Sequence, residues 1–143
     1  VSNVREALCK FLQADTGAGK LMEIATQVYP GQPPEGAEHP LVDVTAMRAP
    51  RGNYAFQGLS HEDSLYLVKA VDKNASPATA AEMAKRIRAR LDPDGTGDAE
   101  ISVEGSDTLL LSWVQAVEYD DPQGDGSVYR HEGGIYEVWT EPE

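Results

Sequence analysis

The chain has 143 residues, enough for one hydrophobic core that buries about two-thirds of the unfolded surface and too few for two full domains. Lys and Arg number 12 against 24 Asp and Glu, a formal charge of −12 that opposes adhesion to nucleic-acid phosphates or anionic lipid. No apolar run approaches the ~20 residues of a bilayer-crossing helix, so the expectation is one soluble domain over residues 1–143 without membrane contact.

Ser2 or Asn3 can cap a first helix whose Val4, Ala7, Leu8, Phe11 and Leu12 share one side, with Cys9 off that stripe. The helix is expected to end near Asp15-Thr16-Gly17-Ala18-Gly19. A short amphipathic piece, Leu21 to Ala25, precedes Val28-Tyr29, and the Pro- and Gly-rich stretch from Pro30 to Gly36 is loop. Leu41 to Met47, introduced by Pro40, is rich enough in β-branched residues for a strand. From Arg48 to about Asp63, residues Pro50, Gly52, Asn53 and Gly58 predict a long loop, and loops of that length commonly carry function. Ser64 to Asp72, apolar on most of both faces, reads as a central strand.

Ser76 as cap and Pro77 at the first helical position open a helix to Leu91, with Ala80, Met83, Ala84, Ile87 and Leu91 as its apolar stripe and Asp92-Pro93 as its stop. Residues 92–107 are turn-rich, with at most a small strand at Ile101 to Val103. Thr108 to Tyr119 and Val128 to Thr140 then form a hairpin around the acidic turn Asp120 to Gly126. The order predicts an α+β fold: a mainly antiparallel four-stranded sheet, two principal helices on one face, long loops and a C-terminal β-hairpin.

Patterns that carry chemistry are sparse. Cys9 is the only cysteine, which excludes an internal disulfide and any zinc site with two thiolates. The opening residues lack the cationic and apolar regions of a secretory signal, so a cytosolic origin is expected. Gly17-Ala18-Gly19-Lys20 departs from a phosphate loop, with Ala14 where the first glycine belongs and Leu21 in place of the metal-holding hydroxyl. Two acidic loops, Asp92 to Glu100 and Asp121 to Glu132, resemble calcium ligand sets. The first lacks the twelfth-position carboxylate, and the second has Gln123 third and lies between strands. His39, His61 and His131 share no metal-pair spacing and read as surface residues. No catalytic residue, metal or cofactor is expected.

Lys85, Arg86, Arg88 and Arg90 form a basic cluster that suggests docking of an acidic partner. Helical angles spread the four around the solvent arc, which also suits stems lying over the core edge near a helix C-terminus.

The element order resembles the tail-terminator, or tail-completion, proteins of long-tailed bacteriophages. The likeness lies in Val4-Arg5-Glu6-Ala7-Leu8 opening a short helix, in Val28-Tyr29-Pro30 followed by the Pro-bounded strand at Pro40-Leu41-Val42, and in Gly58-Leu59 ahead of the next strand. It continues through the Ala/Arg helix Ala80 to Leu91 and closes on Gly134-Ile135-Tyr136-Glu137-Val138-Trp139. The 92–107 segment departs from the pattern.

The resemblance implies a structural virion protein at the head-proximal end of a phage tail. Such a protein forms a ring, usually of six copies, that caps the tail tube, ends tube growth and meets the head-closure or connector protein. Its partners would be other copies of itself, the tube protein and that connector, and genomic DNA would pass through the lumen without sequence-specific binding. Six copies would carry about −72 in formal charge, which suits a lumen that DNA slides through. Arg48, Arg51, Tyr54 and Phe56 are the candidate subunit or tube contacts, being of types enriched at interfaces. A head-closure or connector protein and a small acidic calcium-binding module are the alternatives.

Overall fold

The computed structural model describes residues 2–55, 58–73, 77–97, 101, 103 and 106–142. In chain order they form α1 (Ser2–Gln13), a 3-10 turn (Leu21–Glu23), β1 (Val28–Tyr29), β2 (Leu41–Ala55), β3 (Gly58–Lys73), α2 (Pro77–Leu91), β4 (Ser106–Pro122) and β5 (Val128–Pro142). The strands make one sheet in the order β1-β2-β3-β5-β4, antiparallel throughout except where β1 runs parallel to β2. This is the expected α+β class, with the central strand where the apolar run of β3 placed it. The expected four strands are joined by a fifth, β1, only two residues long.

Strand alternation divides the sheet into two unlike faces. Val42 and Val44 of β2, Tyr66, Val68 and Ala70 of β3, Tyr136 and Val138 of β5, and Leu111 of β4 all point into one core. Onto that face α1 lays Val4, Leu8 and Leu12, and α2 lays Met83, Ile87 and Leu91, each 6% exposed or less. Burial of each large side chain contributes roughly 1.5–3 kcal/mol, and this shared interface is what holds both helices on one side. Cys9 also enters the core, contrary to its expected place off the stripe, and burial pushes its thiol up to about 11. Phe11, expected inside, is half-buried beneath Arg90.

Of the long loop expected between Arg48 and Asp63, residues 48–55 and 58–63 are instead strand. β2 and β3 continue as a hairpin through Arg51↔Asp63, Asn53↔His61 and Tyr54↔Leu59. Pro50, Gly52 and Asn53 are turn formers in isolation, but the register shift at Arg48/Arg51 leaves Pro50 outside the ladder, where a missing N–H costs little, and Gly52 and Asn53 pair with Glu62 and His61. β5 pairs with β3 only from Glu62 to Lys73, so the outer part of the hairpin is a two-stranded arm beyond the sheet.

Two glycines on β5 set the packing of the sheet's middle. A Cβ on Gly133 would lie 2.1 Å from the Val68 carbonyl oxygen and 2.5 Å from Lys69 Cα, so only glycine allows this approach of β5 to β3. A Cβ on Gly134, which faces the helices, would meet the Trp113 ring at 3.0 Å.

Candidate functional site

The sheet face turned away from the helices carries no secondary-structure element among the described residues. Its middle is apolar: Leu65 and Leu67 of β3 and Ile135 of β5 lie side by side, half-buried, with Leu67 paired to both Thr45 and Ile135. Trp139 extends this stripe and stacks on His61 at 4.6 Å between ring centroids. The sheet's margins are open too. β1 pairs with β2 at Val42 and Asp43, and no other strand pairs with that edge among the described residues. At β4, the Gly97 carbonyl accepts from Leu111 N and the Asp92 carboxylate from Trp113 N, so the turn after α2 guards one half of the edge. Val114, Tyr119 and Val128 are exposed apolar residues on and beside the other half. An apolar stripe beside edges that are unpaired among the described residues is the kind of surface that takes part in protein contacts.

At one end of this face a cleft of about 930 Å³ is roofed by residues 32–39 and floored by β2, β3, β4 and β5. Thr26 fastens the roof by donating its hydroxyl to the Glu38 and Pro40 carbonyls at 2.8 and 2.9 Å. On the floor, Lys69 Nζ donates to the Tyr119 hydroxyl at 2.7 Å and stands 3.7 Å from Asp43 Oδ2. Tyr119 in turn stacks on His131, with centroids 4.5 Å apart and planes 7° from parallel. Asp43 Oδ1 and His131 Nδ1 are buried without a hydrogen-bond partner.

These contacts set the ionisation of the cleft. Burial pushes the Asp43 carboxyl up to about 6, against the pull of the Lys69 ammonium and the Thr45 hydroxyl. Burial pushes the His131 imidazole down to about 4, helped by Lys69 and opposed by Asp121, whose Oδ2 lies 3.9 Å from Nε2. The linked stabilities run in opposite directions. Asp43 contributes stability that is present below its unfolded pKa and lost as pH rises towards about 6; His131 contributes stability that is present above its unfolded pKa and lost as pH falls towards about 4. Over pH 4–6 the wild-type melting temperature should therefore change little on account of this pair. Asp43→Asn should expose a decline on acidification, and His131→Asn a rise, both read by thermal melts across that range.

The residues singled out from sequence lie elsewhere. Arg48 sits on β2 and pairs with the buried Asp63 of β3, bracing the root of the arm. Arg51 is on β2 within the sheet, opposite Asp63, Tyr54 is on the two-stranded arm, and Phe56 lies outside the described residues. The basic cluster of α2 is dispersed over several contacts. Arg86 bonds Glu82 and Glu23 at 3.0 and 2.9 Å, Arg88 lies 3.9 Å above the Trp113 ring, and Arg90 lies 3.8 Å above Phe11 while donating to its carbonyl. Lys85 is exposed at the rim of a second cleft of about 610 Å³ between α2 and β4/β5. Three of the four cations thus fasten α2 to its neighbours.

Both calcium-like loops have local structural duties. Asp92 accepts from Gly97 N with one oxygen and from Trp113 N with the other, at 3.1 and 3.0 Å. Asp125 accepts from the Ser127 amide and hydroxyl, shaping the β4–β5 turn. No group of three or more His, Cys, Asp or Glu able to hold a metal occurs among the described residues. The histidines are not the surface residues expected; all three are half-buried against aromatic rings, His39 on Tyr129, His61 on Trp139 and His131 on Tyr119. The Gly17–Lys20 stretch is a turn after α1, with Gly17 and Gly19 at positive φ.

Sequence reasoning missed the cleft because its groups come from four separate strands. One local signal was present: Lys69 is a lone cation inside the apolar run Leu65 to Val71, and a buried ammonium requires a carboxylate on a neighbouring strand.

Neither the protein-family models nor the curated protein sequences match this chain. Among solved structures, a chain of the virion of a native gene transfer agent particle is similar to it, with a TM-score of 0.70 over 96% of this chain and 94% of that one. Identity is 16%, so the likeness is one of fold, and it extends over nearly the whole of both chains.

Proposed function

We propose that this chain is a structural protein of a phage-like virion that acts by assembly, as a tail terminator. In this reading six copies close into a ring on the last ring of the tail tube, end its polymerisation, and present the surface to which the head-closure or connector protein joins. The protein is assembled in the host cytoplasm and resides at the head-proximal end of the tail. The observation that carries the reading is the near-complete fold likeness, in both directions, to a virion chain.

The surface supports it physically. A head-to-tail ring needs two different patches on each copy, and the open edges, the bare apolar stripe and the projecting arm supply unlike surfaces at different sides of one sheet. Arg48, Arg51, Tyr54 and Phe56 remain the proposed contact region, with Arg48 and Arg51 on β2 inside the sheet and Tyr54 on the arm. The charge of −12 per copy suits a lumen that lets DNA pass without holding it.

The test is tube assembly in vitro. Adding the purified chain to polymerising tube protein should stop elongation and leave a ring at one end of each tube by negative-stain microscopy. Tubes that grow to unchanged length with the chain unbound would contradict the reading. Binding to the connector but not to the tube end would assign the chain to head closure instead.

A further inference from the structure

Charge is divided unevenly between the helices and the sheet. Residues 2–23 together with α2 hold seven of the 12 Lys and Arg but only four of the 24 Asp and Glu. Three of those four carboxylates are engaged, which leaves Glu6: Asp15 is buried and accepts from Leu21 N, and Glu23 and Glu82 both bond Arg86. Arg5, Lys10, Lys20, Lys85, Arg88 and Arg90 have no carboxylate partner among the described residues. Several of these cations gather where α1 and the turn after it meet α2. Arg86 donates to the Lys20 carbonyl at 3.0 Å and Arg90 to the Phe11 carbonyl at 3.1 Å, and Lys10 and Lys20 are exposed on the stretches that these bonds hold.

The sheet carries the opposite charge, most densely at its β4 edge. Residues 114–132 hold five carboxylates and a single Lys or Arg, Arg130, which Glu118, Asp120 and Glu132 share. Asp121 faces His131, whose imidazole burial keeps neutral. Glu118, Asp120 and Asp121 are each more than half exposed. Of four exposed large apolar side chains among the described residues, Val114 and Tyr119 lie on this edge and Val128 beside it. Apolar side chains exposed among carboxylates mark a protein contact, and complementary potential requires a basic counterpart. The basic seam is on the other flank of the molecule. α1 packs on β1 and β2, whereas β4 closes the opposite side of the sheet, four strand spacings or about 19 Å away. The two surfaces cannot meet within one copy. Between copies set side by side they form a head-to-tail contact of the kind that closes into rings.

We infer that the outer edge of β4 in one copy docks on the seam between α1 and α2 in the next, with Glu118, Asp120 and Asp121 facing Lys10, Lys20 and Arg90, and Val114 and Tyr119 inside the contact. The occupant is a second copy because one chain carries both halves of the complementary pair, on opposite flanks. The inference rests on the ring-forming reading and names the contact that would build the ring.

Charge exchange tests it, with self-association read by native mass spectrometry and analytical ultracentrifugation, alone and with tube protein. One chain carries Lys10→Glu and Lys20→Glu; the other carries Asp120→Lys and Asp121→Lys. Either alone should self-associate at least tenfold more weakly than wild type. An equimolar mixture should recover to within threefold, in species holding equal numbers of the two chains. The aspartate variant is the stricter one: it is less negative than wild type, so general repulsion predicts tighter association where this contact predicts looser. Lys85→Glu, on the other flank of α2, should stay within twofold of wild type. All five positions are exposed, and each variant is first matched to wild type by thermal melt. Lys10→Gln with Lys20→Gln, which removes the charge without reversing it, should fall between wild type and the reversal. Rings formed undiminished by either reversed chain alone would overturn the seam contact and leave the ring reading standing. A mixture that recovers only open-ended chains would support the contact and contradict the ring. A mixture that does not recover would overturn the contact, and a wild type that stays monomeric with tube protein present would overturn both. Self-association intact in the lysine variant, with retention on duplex DNA lost, would make the seam a phosphate-binding surface and overturn the contact.

Discussion

Gly133→Val is expected to cost about 3–5 kcal/mol of folding stability, a large share of the 5–15 kcal/mol of an ordinary domain. The atoms a new Cβ would strike are the Val68 carbonyl oxygen at 2.1 Å and Lys69 Cα at 2.5 Å, both backbone, so no side-chain rotation relieves the clash. β5 must move away from β3, and those strands are paired without a register shift from Glu62↔Thr140 to Lys73↔Tyr129. Lys69 would also be carried off its place between Asp43 and Tyr119. Gly134→Ala provides the contrast. Its nearest contacts are Trp113 ring atoms at 3.0 Å and the Gln115 carbonyl at 3.1 Å, and the ring can yield, so the cost should be about 1–2 kcal/mol. Urea unfolding of the two variants beside wild type checks both values and their order.

Asp92→Ala should be the second large loss, at about 2–4 kcal/mol. Asp92 is 5% exposed, and its carboxylate accepts one backbone N–H from Gly97 and another from Trp113. Alanine leaves one buried and one part-buried donor unpaired and detaches the turn after α2 from the β4 edge. Asp92→Asn keeps the shape and one acceptor oxygen, so it should lose about half as much. Amide hydrogen exchange gives a second reading: the Trp113 and Leu111 amides should lose protection in Asp92→Ala ahead of the α1 amides, because the unguarded half of β4 would then extend along its whole edge.

Local rules made the helices legible and left the arm and the cleft obscure. The α2 stripe of Ala80, Met83, Ile87 and Leu91 repeats at helical spacing between Pro77 and Asp92, so pattern and packing agree. β1 escaped notice because two residues, Val28 and Tyr29, are strand only by virtue of parallel pairing with Val42 and Asp43, a contact that no local composition encodes. In the outer half of β2, Pro50, Gly52 and Asn53 signal turns, yet Gly52 and Asn53 pair with Glu62 and His61 of β3 and a register shift passes over Pro50. Cys9 shows the narrower limit of periodicity: a small side chain beside Leu8 and Leu12 reaches the core from just outside the expected arc. The cleft gathers Asp43, Lys69, Tyr119 and His131 from four strands, and their meeting depends on the close approach of β5 to β3 that Gly133 allows.

Native mass spectrometry of the purified chain, alone and with tube protein, bears most directly on whether copies of this acidic subunit close on themselves. A discrete six-subunit species, with no series of larger multiples, is the result this account predicts. A monomer at every concentration and in the presence of tube protein, or an unbroken ladder of masses without a closed state, would contradict it.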